Sequence, residues 1–133
     1  MLIWRFFIMC ENTKFLSCGD CKAVLFRLPG DFPGAPEGVQ ALEAGVTDAA
    51  KEKHIPVAKV EGNKVTVVVG SVEHPQTEEH HISFILLETN MGIQSRTLAH
   101  NGKPEATFLL QDGEKAIAVY EMCNLHGLWK VEL

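Results

Sequence analysis

From Ile55 to its end the chain is a train of short β-favouring runs, each cut by residues that force a turn. Few folds accept that pattern. The runs fall near 55–61, 64–69, 81–89, 92–98, 105–110, 115–122 and 129–132. Between them lie Gly62-Asn63, a loop from Gly70 to Glu79, the stretch Asn90 to Gly92, Asn101-Gly102-Lys103-Pro104, and Asp112-Gly113. Asn-Gly and Asp-Gly supply the positive backbone angles of tight hairpins. About seven short strands at this spacing predict an all-β chain folded as an antiparallel β-sandwich. Hydrophobic residues make up 46% of the 133 residues, enough for the core of one modest domain and a small appendage.

The N-terminal part is organised differently. Residues 1–9 and the run Lys22-Ala-Val-Leu-Phe-Arg-Leu28 are apolar and β-favouring, with Cys10, Cys18 and Cys21 between them. Cys18-Gly-Asp-Cys21 has the spacing of a metal knuckle, but a closed tetrahedral site takes four ligands. Only three cysteines are present here, and no histidine precedes His54, so these read as thiols without a metal. Three prolines and three glycines between Pro29 and Gly38 mark a loop. It sets a boundary between a small β module, 1–38, and a main domain, 39–133. A short helical turn is expected around Gln40 to Ala44, ended by Gly45.

Several function classes drop out. A net charge of −5 argues against nucleic acid and against an anionic membrane surface. No apolar stretch approaches the roughly 20 residues of a membrane span. The run 1–9 is short and interrupted by Arg5, and no small-residue cleavage site follows it. A cytoplasmic protein is expected, with cysteines that are thiols or ligands rather than disulfides. Phosphate-binding glycine loops and the Gly-x-Ser-x-Gly elbow are absent.

Cys123-Asn-Leu-His126 places a thiol and an imidazole three residues apart in a turn ended by Gly127. Such a pair on a loop can face one ion, and both donors suit zinc, copper, iron or nickel. As nucleophile and base the same spacing gives poor geometry, and no third member of a triad is evident. Five further histidines lie at strand junctions or in loops, where a sandwich carries its binding chemistry: His54, His74, His80, His81 and His100. His80 and His81 cannot both face one site once a strand has begun, because side chains alternate. His100, in the Asn-Gly-Lys-Pro turn, reads as solvated.

Taken together, these segments resemble the superoxide reductase family, also called desulfoferrodoxin and neelaredoxin. The resemblance is carried by Lys51-Glu52-Lys53-His54-Ile55-Pro56-Val57, by Val69-Gly70-Ser71-Val72-Glu73-His74-Pro75, by His80 six residues later, and by Cys123-Asn-Leu-His126-Gly-Leu-Trp129. It runs from about Gly45 to the end. It implies an immunoglobulin-like seven-stranded sandwich holding one mononuclear iron. Four imidazoles (His54, His74, His80 and His126) and the thiolate of Cys123 would bind that iron. The implied reaction is the one-electron reduction of superoxide to hydrogen peroxide without release of dioxygen. Lys53 is implied to attract the anion, and Glu52 to occupy the open position of the oxidised iron. A rubredoxin-like electron donor and a homodimer are implied as partners. The N-terminal cysteines would match the family's small desulforedoxin-like module, but the adjacent cysteine pair is missing, so that module is expected to lack a second iron.

Two rivals remain open from the residues. A cupredoxin-like electron-transfer protein is also a sandwich with a late Cys and His, but it usually adds a methionine after the second histidine, and none follows His126. A structural zinc site closes with four ligands, one fewer than the candidates here.

Overall fold

The turn glycines sit where the chain reverses. Gly62 (φ 59°) joins β4 (Pro56–Glu61) to β5 (Lys64–Val69), with Glu61 opposite Lys64. Gly113 (φ 80°) turns the chain between β8 (Glu105–Leu109) and β9 (Ala116–Cys123). Left-handed backbone of this kind is inexpensive only for glycine. The computed structural model describes residues 14–19, 23–28 and 37–133. The chain divides into two units, Met1–Glu43 and Ala44–Leu133.

In the second unit β6 (Ile82–Thr89), β7 (Gly92–Thr97), β9 and β10 (Gly127–Glu132) form a four-stranded sheet in the order β10-β9-β6-β7. Strands β4, β5 and β8 form a three-stranded sheet in the order β4-β5-β8. All the pairings are antiparallel. The seven strands therefore build the antiparallel sandwich that the punctuation predicts, with four strands in one sheet and three in the other, as in the immunoglobulin-like fold that the resemblance implies.

Alternation explains the core. Val65, Val67 and Val69 project from one face of β5 and are buried, together with Phe108 of β8, Ile85 and Leu87 of β6 and Val119 of β9. Each such side chain contributes about 1.5–3 kcal/mol when taken from water. The β6–β9 register shifts between Ile82 and Phe84, where one extra residue, Ser83, is accommodated. Ile82 and Ile85 are three apart, so a regular strand would send them to opposite faces; the bulge leaves both fully buried. It also sets Ile82 opposite Cys123, at the end of the sandwich where the candidate donors collect.

The first unit contains a small antiparallel sheet in the order β2-β1-β3, from β1 (Phe15–Cys18), β2 (Val24–Phe26) and β3 (Val39–Ala41). Phe15 and Phe26 pair across it edge to face at 5.2 Å. The expected helical turn at Gln40 is a strand instead: Gln40 lies opposite Ser17, and Leu42 N–H donates to the Phe15 carbonyl. Too few residues separate Gly38 from Gly45 to repay helix nucleation, whereas the free edge of β1 offers hydrogen bonds at once. The expected strand at 1–9, Cys10, Cys21 and the loop 29–36 lie outside the described residues. Cys18 closes β1 and is half-buried. Among the described residues no helix is long and apolar enough to cross a membrane.

Candidate metal centre

One end of the sandwich gathers three segments. The first is α1 (Lys51–His54), a single helical turn held by hydrogen bonds from Lys53 N–H to the Ala50 carbonyl and from Ile55 N–H to the Lys51 carbonyl. The His54 side chain joins that turn, with Nδ1 hydrogen-bonded to the Ala50 carbonyl at 2.7 Å. A carbonyl only accepts, so Nδ1 carries the proton and Nε2 keeps its lone pair. Gly70 allows the chain to pass against this turn. A Cβ there would stand 2.6 Å from the Glu52 carbonyl oxygen. Val72 N–H and the Ser71 hydroxyl both donate to that carbonyl.

The second segment is the loop from Gly70 to His81. His74 donates from Nδ1 to the Pro75 carbonyl at 2.7 Å, which fixes its tautomer as in His54. Thr77 and His80 tie the loop to itself through Thr77 N–H to the His80 carbonyl and His80 N–H to Thr77 Oγ1. Gln76 pairs with both backbone groups of Ile82. The third segment is the turn between β9 and β10. Cys123 lies opposite Gly127, whose φ of 80° lets the chain reverse straight after His126. Trp129 supports this turn by donating from Nε1 to the His126 carbonyl, and its ring lies 5.0 Å from that of His54.

The candidate donors meet where these segments converge. His54, His74, His80 and Cys123 offer ligand atoms that all lie within 4.8 Å of one another. His126 joins through Nδ1, which is 3.1 Å from His54 Nε2 and 3.7 Å from Cys123 Sγ. The four imidazoles form a closed ring. Neighbouring centroids are 4.8 Å (His54–His74), 4.5 Å (His74–His80), 5.1 Å (His80–His126) and 4.8 Å (His54–His126) apart, with planes crossed at 72–89°. Across the diagonal, His54 and His80 are 6.4 Å apart and tilted by only 33°. Those distances describe a near-square. The sulfur of Cys123 lies 3.5 Å from His74 Nε2.

Burial keeps His74 and His80 in the neutral form that can bind a metal, and works against the thiolate form of Cys123. Burial holds the His74 imidazole down at about 4, opposed by its bond to Pro75 and reinforced by His80, His54 and His126. His80 is lowered first by burial, then by His126, His54, His81 and Lys53. Burial raises the Cys123 thiol, against backbone N–H groups of Leu125 and His126 that favour the thiolate. His80 Nε2 is buried without a hydrogen-bond partner among the described residues. A cation among these atoms could take up their lone pairs together. The donor set therefore fits a metal ion, and five nitrogen and sulfur donors suit iron, copper or zinc.

Other expected residues lie around this cluster. Lys53 is exposed on α1 and near enough for its charge to act on His80. Glu52, beside it, is exposed and enters the framework through its backbone carbonyl. The His81 ring stacks on His100 at 4.0 Å, with Nδ1 hydrogen-bonded to the carbonyls of Thr77 and Glu78. His100 is therefore a stacking partner and not merely a solvated side chain.

Two residues escaped the sequence reading. Glu121 is fully buried, on the same face of β9 as Val119 and Cys123. Neither carboxyl oxygen has a hydrogen-bond partner among the described residues, and burial pushes its carboxyl up to about 9. An acid at an inward position of an alternating strand is the signal that marks it. Asn124 hydrogen-bonds across to the His80 loop, and nothing local in the sequence announces that.

Fold and cluster together define a β-sandwich protein with a histidine- and cysteine-rich centre able to hold a metal. The family model described as Desulfoferrodoxin matches residues 46–132. The chain belongs to the desulfoferrodoxin family. It is 39% identical over 122 residues to a desulfoferrodoxin of Nitratidesulfovibrio vulgaris, covering 92% of this chain and 95% of that one. The superoxide reductase of Treponema pallidum has a similar structure, with a TM-score of 0.72 and 42% identity over 88% of this chain and 98% of that one. The one-iron superoxide reductase of Giardia intestinalis matches with a TM-score of 0.54 and 36% identity, covering 62% of this chain and all of that one (100%).

Proposed function

We propose that this chain is a superoxide reductase. Each turnover takes one superoxide, one electron and two protons to one hydrogen peroxide. The single observation that carries the reading is the near-square of four imidazoles beside a buried thiol. His54, His74, His80, His126 and Cys123 would bind one iron per chain. That iron, shifting between its ferrous and ferric states, would supply the electron, and a thiolate donor makes it electron-rich.

The chain's own residues do the rest. The carbonyls of Ala50 and Pro75 hold His54 and His74 in the tautomer that points Nε2 inward. Such outer partners fix ring orientation and raise ligand basicity. Cys123 gives up its proton on binding the metal, and the N–H groups of Leu125 and His126 support the resulting charge. With a net charge of −5 the protein repels an anion at long range, so a local cation has to draw it in. Lys53 takes that role, and local focusing of this kind raises on-rates by about ten- to a thousandfold. Glu52, on the same exposed turn, is the carboxylate that would take the open position of the oxidised iron.

A rubredoxin-like donor, a homodimer and a cytoplasmic location complete the proposal, supported by likeness to the family. The small N-terminal module holds no second iron in this reading; its boundary falls after Glu43 rather than after Gly38, because β3 pairs with β1. Purified chain should contain one iron and, when oxidised, show sulfur-to-iron absorption. Superoxide should be consumed with one peroxide formed per superoxide and no dioxygen. One peroxide for every two superoxides, with dioxygen released, is dismutation and would overturn the proposal.

A further inference from the structure

Resting on the metal reading above, we propose that Asn124 is a positioning residue, locking the His80 loop and the Cys123 turn into one unit around the metal. The hydrogen bonds within the His80 loop fix its shape, and the pairing of Ile82 with Cys123 anchors its end. Asn124, the residue after Cys123, extends that anchor to the residues on both sides of His80. Its N–H donates to the His81 carbonyl at 3.1 Å, its Oδ1 accepts from His81 N–H at 2.9 Å, and its Nδ2 donates to the Glu79 carbonyl at 2.9 Å. The residues before and after His80 are thus both gripped from the turn that carries the thiol. Aspartate keeps the backbone N–H and the side-chain acceptor but loses the Nδ2 donor, and it sets a second oxygen against the Glu79 carbonyl.

The fold contains its own control. At the far end of the same strand pair, Asn90 N–H donates to the Lys115 carbonyl at 3.1 Å. Asn90 Oδ1 accepts from Lys115 N–H at 2.8 Å, and Nδ2 donates to the Gly113 carbonyl at 3.0 Å. Asn90 follows the last residue of β6 and grips the run into β9; Asn124 follows the last residue of β9 and grips the run into β6. The two grips are alike bond for bond, and only one encloses a metal donor. Asn90 therefore measures what such a clamp contributes to folding, and any excess effect at Asn124 measures its action on the centre.

The experiment compares the full-length parent, Asn90→Ala, Asn124→Ala and Asn124→Asp. Reduced, iron-loaded protein is challenged anaerobically with excess ferrous chelator, and thermal unfolding of the metal-free chains is recorded beside it. Outer-shell partners of metal ligands typically change affinity about ten- to a hundredfold. Asn124→Ala should release iron faster by that factor and shift the sulfur-to-iron absorption of the oxidised protein. Asn124→Asp should also release iron faster than the parent, which keeps the question decidable if the alanine variant does not fold. Asn90→Ala should soften the metal-free fold to a similar degree, yet release iron at the parental rate. An iron-holding parent whose Asn124 variants release no faster than Asn90→Ala overturns the clamp alone. A parent that binds no iron overturns the proposed function as well.

Discussion

Replacing Gly70 by alanine is the sharpest test of how the fold holds His54, the first candidate donor. The backbone at Gly70 runs against the turn that carries Glu52, Lys53 and His54. An added Cβ would lie 2.6 Å from the Glu52 carbonyl oxygen, 3.0 Å from the Ile55 carbonyl oxygen and 3.0 Å from the Lys53 carbonyl carbon. Ordinary contact begins at 3.4 Å, so the Glu52 carbonyl must retreat by about 0.8 Å, the difference between 3.4 and 2.6. All three neighbours are backbone, so no side chain can swing aside. Overpacking of this kind typically costs about 1–3 kcal/mol. In a domain of this size that lowers the melting temperature by roughly 4–8 °C per kcal/mol. The same retreat drags Lys53 and His54 with it, and misplacement near 1 Å can cost about a hundredfold in rate. Thermal unfolding, iron retention against a chelator and the second-order rate with superoxide should all fall together. Gly102→Ala is the control, since its Cβ would meet only the Ala99 carbonyl oxygen at 3.8 Å. Gly70→Ala protein as stable and as iron-retentive as Gly102→Ala protein would refute the reasoning.

Three further outcomes are expected. Lys53→Ala should slow superoxide capture and flatten its dependence on ionic strength while iron stays bound; stopped-flow rates across a salt series check this, and an unchanged rate removes Lys53 from the mechanism. Cys123→Ser should abolish the sulfur-to-iron absorption of the oxidised protein, and a persisting band would deny the thiolate its place. Glu121→Met keeps the volume and removes an unpartnered buried carboxyl, so the metal-free chain should gain about 1–3 kcal/mol in denaturant unfolding; a loss instead would mean that the carboxyl is satisfied.

The strands were legible because their signals are local. Asp112-Gly113 and Gly62-Asn63 mark their turns within two residues, and Val65, Val67 and Val69 announce an inward face by alternation alone. β10 starts at Gly127 rather than Trp129, because Gly127 already pairs with Cys123. The helix Lys51–His54 is four residues long, too short to show a period, and rests on hydrogen bonds to Ala50 and Lys51. The candidate donors could be named because their motifs resemble those of the superoxide reductase family, whose six-residue step from His74 points to His80 rather than His81. Their supports could not: the carbonyls of Ala50 and Pro75 are backbone atoms that any residue supplies, and the grip of Asn124 joins positions 43 residues apart. Glu121 stood in plain view at an inward position, but its isolation depends on neighbours that only the packed sandwich brings near.

His54 and His126 touch although 72 residues separate them along the chain. A metal held by these donors would tie three distant stretches of sequence to one point. Binding it and completing that end of the sandwich would then be one event rather than two.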